Sequence, residues 1–298
     1  MTEVNLSSQL VGDTRPRVSE FRRVIKVMFD RKIVLAGTII TILVIIVAIF
    51  APWIAPQNPY DQNLRAVRQQ PSSAHLLGTD ELGRDVLSRI IVGTRVSIIV
   101  GLVAVCIAGV IGMTLGLMAG YFGGWTNTII MRFIDALLAI PPLILILAIA
   151  TLLGGGLRNV LISIGIGMMP TYCRLMCGQI LSIRESDYIT AARSVGASDL
   201  RIMGRHLLPN SFPPLLVLLT TNLGTAILLE ASLSFLGIGI PQPTPTWGGM
   251  VNEGYSLLLS NPILSCAPGL VILLVVVSIN MVGDGLRDAL DPRLRGIL

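Results

Sequence analysis

The sequence predicts an all-α membrane protein of six transmembrane helices with both termini in the cytoplasm. Three observations predict it. Hydrophobic residues make up 53% of the 298 and charged residues only 13%, about half the charge of an ordinary soluble domain. The apolar residues run in stretches long enough to cross a bilayer, whose ~30 Å core takes roughly 20 helical residues. Of the 22 lysines and arginines, 16 fall on one side of the resulting topology, which assigns that side to the cytoplasm. Other classes are excluded by the same composition. The chain is too apolar for disorder, four cysteines cannot frame a disulfide scaffold, and the basic residues form no stripe for nucleic acid.

Segment 1–32 reads as cytoplasmic and carries Arg15, Arg17, Arg22, Arg23, Lys26, Arg31 and Lys32. The first span, 33–52, has no charge and is closed by Pro52. The long polar segment before it, and the lack of a small-residue cleavage pattern after it, predict a retained helix rather than a signal peptide. Segment 53–95 lies outside, and Pro52, Pro56, Pro59 and Pro71 make its first half irregular. From Asp80 the pattern predicts a helix capped by Thr79, with Val86, Leu87, Ile90 and Ile91 on one face and Arg84, Ser88 and Arg95 near the other. That helix either lies at the outer interface or extends the second span. Five of the six outer basic residues (Arg65, Arg68, Arg84, Arg89 and Arg95, with Arg158 the sixth) crowd this segment beside Asp61, Asp80, Glu81 and Asp85.

The second span, 96–120, carries Ala104, Ala108, Gly112, Gly116 and Gly120 at every fourth position. Such a ribbon lets another helix approach closely, either within the chain or from a second membrane subunit. Gly120, Gly123 and Gly124 end the run. The remaining spans are 128–153, 157–178, 211–236 and 264–284, so that 96–288 forms a five-helix core and 289–298 a cytoplasmic tail. Between the fourth and fifth spans, the loop 179–210 is the most structured polar segment. Ser186 is placed to cap a helix over 187–195 whose apolar face is Tyr188, Ala191, Ala192 and Val195. Gly196 suits a left-handed terminator. Ser198 then caps a helix over 199–208 that Pro209 stops. This pair cannot bury its own apolar face, and it docks either on a protein partner or on its own bundle.

Intramembrane charges mark paths or pairs. Asp135 is expected to pair with Arg132, and Asp284 with Arg287. Glu230, towards the outer end of the fifth span, either lines a hydrophilic path or bonds neighbouring backbone. The only lysines are Lys26 and Lys32, neither preceded by glycine, so the chain has no P-loop. Cys173 and Cys177 lie one helical turn apart; two thiols make an incomplete metal site, and buried free cysteine is the ordinary reading. His75 and His206 fall on opposite sides, which leaves no nucleophile–His–acid set. No catalytic, cofactor-binding or metal residue is expected.

Three stretches carry a resemblance. The first runs from Ala191 and Ala192 through Gly196, Ala197 and Ser198 to Leu208 and Pro209; Thr190 stands where the related pattern has Glu, and His206 where it has Ile. The second is 77–85 (LGTDELGRD). The third is 283–292 (GDGLRDALDP), supported by 233–237 (LSFLG) and the Trp247–Gly248 pair. Together, over 31–295, the chain resembles the permease subunits of bacterial ABC importers in the dipeptide/oligopeptide/nickel branch. The resemblance implies a type I (MetI-like) permease fold in the cytoplasmic (inner) membrane. It implies a homologous second permease, two ABC ATPase subunits that hold ATP and Mg, and an extracytoplasmic substrate-binding protein. Thr190, Ala191, Ala192, Gly196, Ala197, Ser198, Leu208 and Pro209 then belong to the loop that couples to an ATPase. The expected role is a pore-forming, non-enzymatic subunit for di- or oligopeptide uptake, with nickel, glutathione or another small solute as the alternative cargo. A stand-alone ion-coupled carrier and a structural scaffold are the rivals from other classes.

Overall fold

The computed structural model describes residues 31–290. The expected terminal segments, with Arg15, Arg17, Arg22, Arg23, Lys26, Arg293 and Arg295, lie outside the described residues. Helix α1, Lys32–Ile54, is the first span, and it continues two residues past Pro52. A proline this close to the end of a helix removes only one bond from the last turn. Ile39, Ile42, Leu43, Ile46, Ile49 and Phe50 are exposed along it, while Val34, Val44, Ala48 and Ala51 pack inward. That is the division expected where the solvent is lipid.

Helix α2, Val86–Phe122, is a single element of 37 residues, roughly 55 Å at 1.5 Å per residue. No helix begins at Asp80, so the extension of the second span is the arrangement found and a separate interfacial helix is not. The cause is local. Oδ1 of Asp80 accepts the N–H groups of Leu82 and Arg84, each at 2.9 Å, which closes a turn. Gly83 within that turn has φ +71°, and a Cβ there would lie 1.9 Å from the Asn63 carbonyl oxygen. Thr79 does not cap a helix; its hydroxyl donates to the Ala66 carbonyl and accepts from the Gln69 N–H. Asp85 is the N-cap instead, accepting from Ser88 N–H at 2.8 Å.

The third span is broken. Helices α3 (Gly124–Leu138) and α4 (Pro142–Leu153) meet at 93°, because Pro141 and Pro142 together remove two successive donors. At about 22 and 18 Å, neither piece crosses a bilayer alone. Among the described residues five helices are long and apolar enough to do so, and the bent pair counted as one span brings the number to six. Helix α5, Leu157–Ile183, carries Pro170 in its interior. The cytoplasmic segment comprises α6 (Asp187–Ser194), α7 (Asp199–Arg201) and a π-helical stretch Ile202–Leu207, which runs directly into α8 (Leu208–Phe235). Pro209 therefore does not stop a helix; it sits in the first turn of α8. The widened π turn accommodates it: Leu208 N–H reaches back five residues to the Met203 carbonyl, and the side chains of Asn210 and Ser211 donate to the His206 and Leu207 carbonyls. Outside, α9 (Trp247–Tyr255) precedes the last span, α10 (Ile263–Leu290). Among the described residues there is no strand, only an isolated Thr79–Asp85 bridge.

The small-residue ribbon is used inside the chain. A Cβ added at Gly112 would lie 2.5 Å from the Met169 carbonyl oxygen, one at Gly116 2.4 Å from that of Cys173, and one at Gly120 2.7 Å from the Cβ of Ile180. Ridges of α5 fill the groove that these absent side chains leave. In lipid, where no hydrophobic drive joins helices, such backbone approach supplies the packing energy. Neither expected ion pair forms. Asp135 pairs with Arg174 of α5, which reaches across from the packed neighbour, and not with Arg132. Asp284 is exposed and forms no pair with Arg287; one turn later, Asp288 meets Arg31 at the foot of α1, 2.5 Å away.

Replacing Gly116 by Val should cost at least the ~1–3 kcal/mol of an overpacked core and leave little monodisperse protein in a membrane extract. Gly178→Ala, with open space at its Cβ, should extract normally. Equal yields by size-exclusion chromatography would contradict this packing.

Candidate functional site

At the cytoplasmic end, α6 is closed by a hydrogen-bonded C-terminal turn. Gly196 N–H donates to the Arg193 carbonyl at 2.9 Å and Ala197 N–H to that of Ala192 at 3.1 Å. This pairing requires a left-handed residue between them, and Gly196 has φ +80° with nothing within 4 Å of its Cβ position. A side chain there meets no neighbour; it meets only the cost of the left-handed backbone. Ser186 and Ser198 occupy the N-cap positions with extended backbone, but neither side chain makes the expected cap bond. The Ser186 hydroxyl donates instead to the Ile183 carbonyl at 2.6 Å.

The loop is tied to the bundle from one side only. Ile189, Ile202 and Leu207 are fully buried. Tyr121, in the last turn of α2, donates its hydroxyl to Asp199 Oδ1 at 2.6 Å, and the Arg193 guanidinium lies 5.5 Å from its ring centroid. Arg184 donates to the Gly120 carbonyl at 2.9 Å. The opposite side stays bare: Val195 is 84% and Leu200 81% exposed, and Tyr188 is half-exposed. Thr190, Ala191, Gly196, Ser198 and Pro209 are exposed on this segment, while Ala192, Ala197 and Leu208 are half-buried. The eight residues expected in the loop run from α6 through the turn at Gly196 to the first turn of α8, five of them exposed and three half-buried. The loop's inward ties were missed in the sequence. Tyr121 lies 78 positions from Asp199, and nothing local marks the pair.

Glu230 is elsewhere, 22 residues along the same helical rod from Leu208, roughly 33 Å at helical rise. It is fully buried, and its Oε1 accepts from the Ser234 hydroxyl at 2.7 Å. The bond is to a side chain of its own helix, not to neighbouring backbone. Cys173 and Cys177 are buried free thiols, and no cluster of three metal-capable side chains exists among the described residues.

The outer end holds a buried charge cluster that the sequence reading did not assemble. Arg84 and Arg89 are each 1% exposed. Arg84 Nε donates to Asp80 at 2.6 Å and its Nη2 to Glu253 at 3.3 Å. Arg89 donates to Asp80 and, at 2.6 Å, to Glu253, while Gln242 Nε2 donates to Glu253 at 3.0 Å. Two cations balance two anions, the condition under which buried charge is tolerated. The cluster fastens α9 across the start of α2. Trp247, fully buried, adds a bond from Nε1 to the Ile90 carbonyl at 3.1 Å. The available signal was the excess of arginine outside, of which Arg84 and Arg89 are accounted for by pairing with Asp80 and Glu253.

Residues 112–296 match the family described as binding-protein-dependent transport system inner membrane component. Residues 19–71 match the N-terminal transmembrane domain of oligopeptide transport permease C. The chain is 42% identical to the dipeptide transport system permease protein DppC of Alkalihalophilus pseudofirmus, over 95% of this chain and 93% of that one. It is 42% identical to the glutathione transport system permease protein GsiD of Pectobacterium atrosepticum, over 88% of each. It is 44% identical to the probable D,D-dipeptide transport system permease protein DdpC of Escherichia coli K12, over 87% of each. Among solved structures, the inward-facing MetNI methionine ABC transporter superposes with a TM-score of 0.54 over 67% of this chain and 96% of that chain. At 20% identity this last likeness concerns the fold.

Removing the Tyr121 hydroxyl with Tyr121→Phe should cost about 1.5–3 kcal/mol of loop anchoring, the range for a hydrogen bond to a charged acceptor. Limited proteolysis should then cut faster within 187–201, and an unchanged cleavage rate would contradict the anchoring. Glu230→Gln, which keeps an oxygen for Ser234, should leave transport within about twofold, since it disturbs no exposed surface. A tenfold loss in a normally folded variant would place Glu230 in a path.

Proposed function

We propose a function from one premise: the chain belongs to the family of binding-protein-dependent transport system inner membrane components. It is a multi-pass protein of the cytoplasmic membrane, and its role is that of one path-forming subunit in an ATP-driven importer of small peptides. The observation that carries this reading is the loop of α6 and α7, rigid, anchored on one side and apolar on the other. Val195, Leu200 and Tyr188 offer a hydrophobic face that a soluble ATPase would cover. The related permeases named above serve dipeptides, D,D-dipeptides and glutathione, which are short peptides with free carboxylates. A dipeptide is the first reading of the cargo and glutathione the second, since a glutathione permease is as similar as the dipeptide one.

The complex would comprise this chain, a homologous second permease, two ABC ATPases and an extracytoplasmic binding protein. ATP and Mg belong to the ATPases, and this chain carries no catalytic step. When ATP draws the two ATPases together, the docked loop moves as a body. Its motion has two routes into the membrane: through Asp199 and Arg193 to Tyr121 at the end of α2, and through the π-helical stretch into α8. The closing glycine keeps α6 from fraying, so displacement is transmitted rather than absorbed. Thr190 occupies the surface beside this face, as a neutral residue offering a hydroxyl rather than a charge.

The direct test is uptake of a radiolabelled dipeptide by cells lacking this chain and by cells in which it is restored. Restoration should return uptake that depends on ATP; unchanged uptake without the chain would sink the peptide reading. Within that assay, Leu200→Asp should reduce ATPase retention on affinity-purified complexes by about tenfold or more, as expected for a central apolar contact. Gly196→Val, which imposes about 1–2 kcal/mol of left-handed strain, should reduce uptake while the chain's membrane level stays normal.

A further inference from the structure

The ion pair between Asp135 and Arg174 lies where a charged surface needs an explanation. Arg174 is ten residues before Arg184 on α5, roughly 15 Å up the helix, and Asp135 precedes the right-angle break of the third span by three residues. Both side chains are about half exposed, at 55% and 49%. Charged side chains on membrane-spanning helices face a bundle interior or water, not hydrocarbon. On α5 the exposed positions nearest the face of Arg174 are Thr171, Gly178, Leu181 and Ser182, of which only Leu181 is large and apolar. The lipid-facing side of α1 is an unbroken row of Ile, Leu and Phe.

We propose that Asp135 and Arg174 form a charged wall of the translocation path and receive the two termini of a free peptide. This rests on the peptide-importer reading above. A zwitterionic peptide presents an ammonium and a carboxylate, and the pair offers one partner for each: the Asp135 carboxylate for the ammonium, the Arg174 guanidinium for the carboxylate. Because the pair is satisfied internally, the wall costs little when empty, and cargo exchanges one set of ion pairs for another. Weak, exchangeable binding is what a path requires.

The test uses the assembled complex in inside-out vesicles, with Cys106→Ser and Cys266→Ser as background. A charged, membrane-impermeant methanethiosulfonate should modify Arg174→Cys at least about tenfold faster than Ile46→Cys, because a thiol ionises and reacts only where water reaches it. Equal rates would overturn the wall. Separately, Asp135→Asn should lower uptake of a free dipeptide by about tenfold, the loss expected for one hydrogen-bonded charge. The exchanged double variant Asp135→Arg with Arg174→Asp should recover much of it. Full uptake by Asp135→Asn and by Arg174→Gln would overturn the contact with cargo. If the unmodified complex takes up no peptide, the peptide reading itself fails and takes the termini with it, while the labelling rates still decide where the wall faces.

Discussion

The close approach of α2 and α5 through Gly112, Gly116 and Gly120 is the constraint on which the rest of the molecule depends. In water, two such helices would be pressed together by the burial of apolar surface; in lipid that drive is absent. What remains is contact between backbones, and it exists only because three side chains are missing. Any Cβ at these positions would fall within 2.7 Å of α5. The register set there places Tyr121, one residue past Gly120, at the mouth of the cytoplasmic loop. It also turns the face of α5 that carries Arg174 away from α2 and towards α3.

From this spine the molecule is fastened at both ends by polar chemistry. Inside, one tyrosine holds both Asp199 and Arg193, so the loop's position follows the end of α2. Outside, Asp80, Arg84, Arg89 and Glu253 neutralise one another beneath a short helix that Trp247 pins to Ile90. The two fastenings differ in kind. The inner one leaves an apolar face bare and available to a partner, whereas the outer one is nearly closed. Loss of a single member of the outer cluster would strand a buried charge, so its role is to hold shape. A rigid outer end and a displaceable inner loop are the division of labour expected of a permease driven from the cytoplasm.

Much of this was legible in the sequence because hydropathy and glycine placement act locally. The spans, the small-residue ribbon, the terminator Gly196 and the exposed face of the 187–195 segment all follow from neighbours within two helical turns. The failures share a cause as well. A helix was expected from Asp80, but that carboxylate binds two backbone N–H groups of its own turn, a competition that side-chain periodicity does not register. Pro209 was read as a stop because the rule assumes an α turn before it, and the π turn removes the conflict. Sequence neighbours are the expected partners of Asp135 and Asp284, yet Asp135 pairs with Arg174 of another helix, and near Asp284 it is Asp288 that pairs, with Arg31 at the foot of α1. Long-range choices of this kind belong to the packing, which for the α2–α5 pair is set by the three glycines.

The central claim is that a bundle-anchored loop presents its apolar side to an ATPase. The most direct measurement is gentle-detergent purification of the tagged chain from its native membrane, with mass spectrometry of what accompanies it. Recovery of a second permease together with P-loop ATPases is the result predicted here. A chain that is recovered folded but alone, or only with copies of itself, would contradict the account.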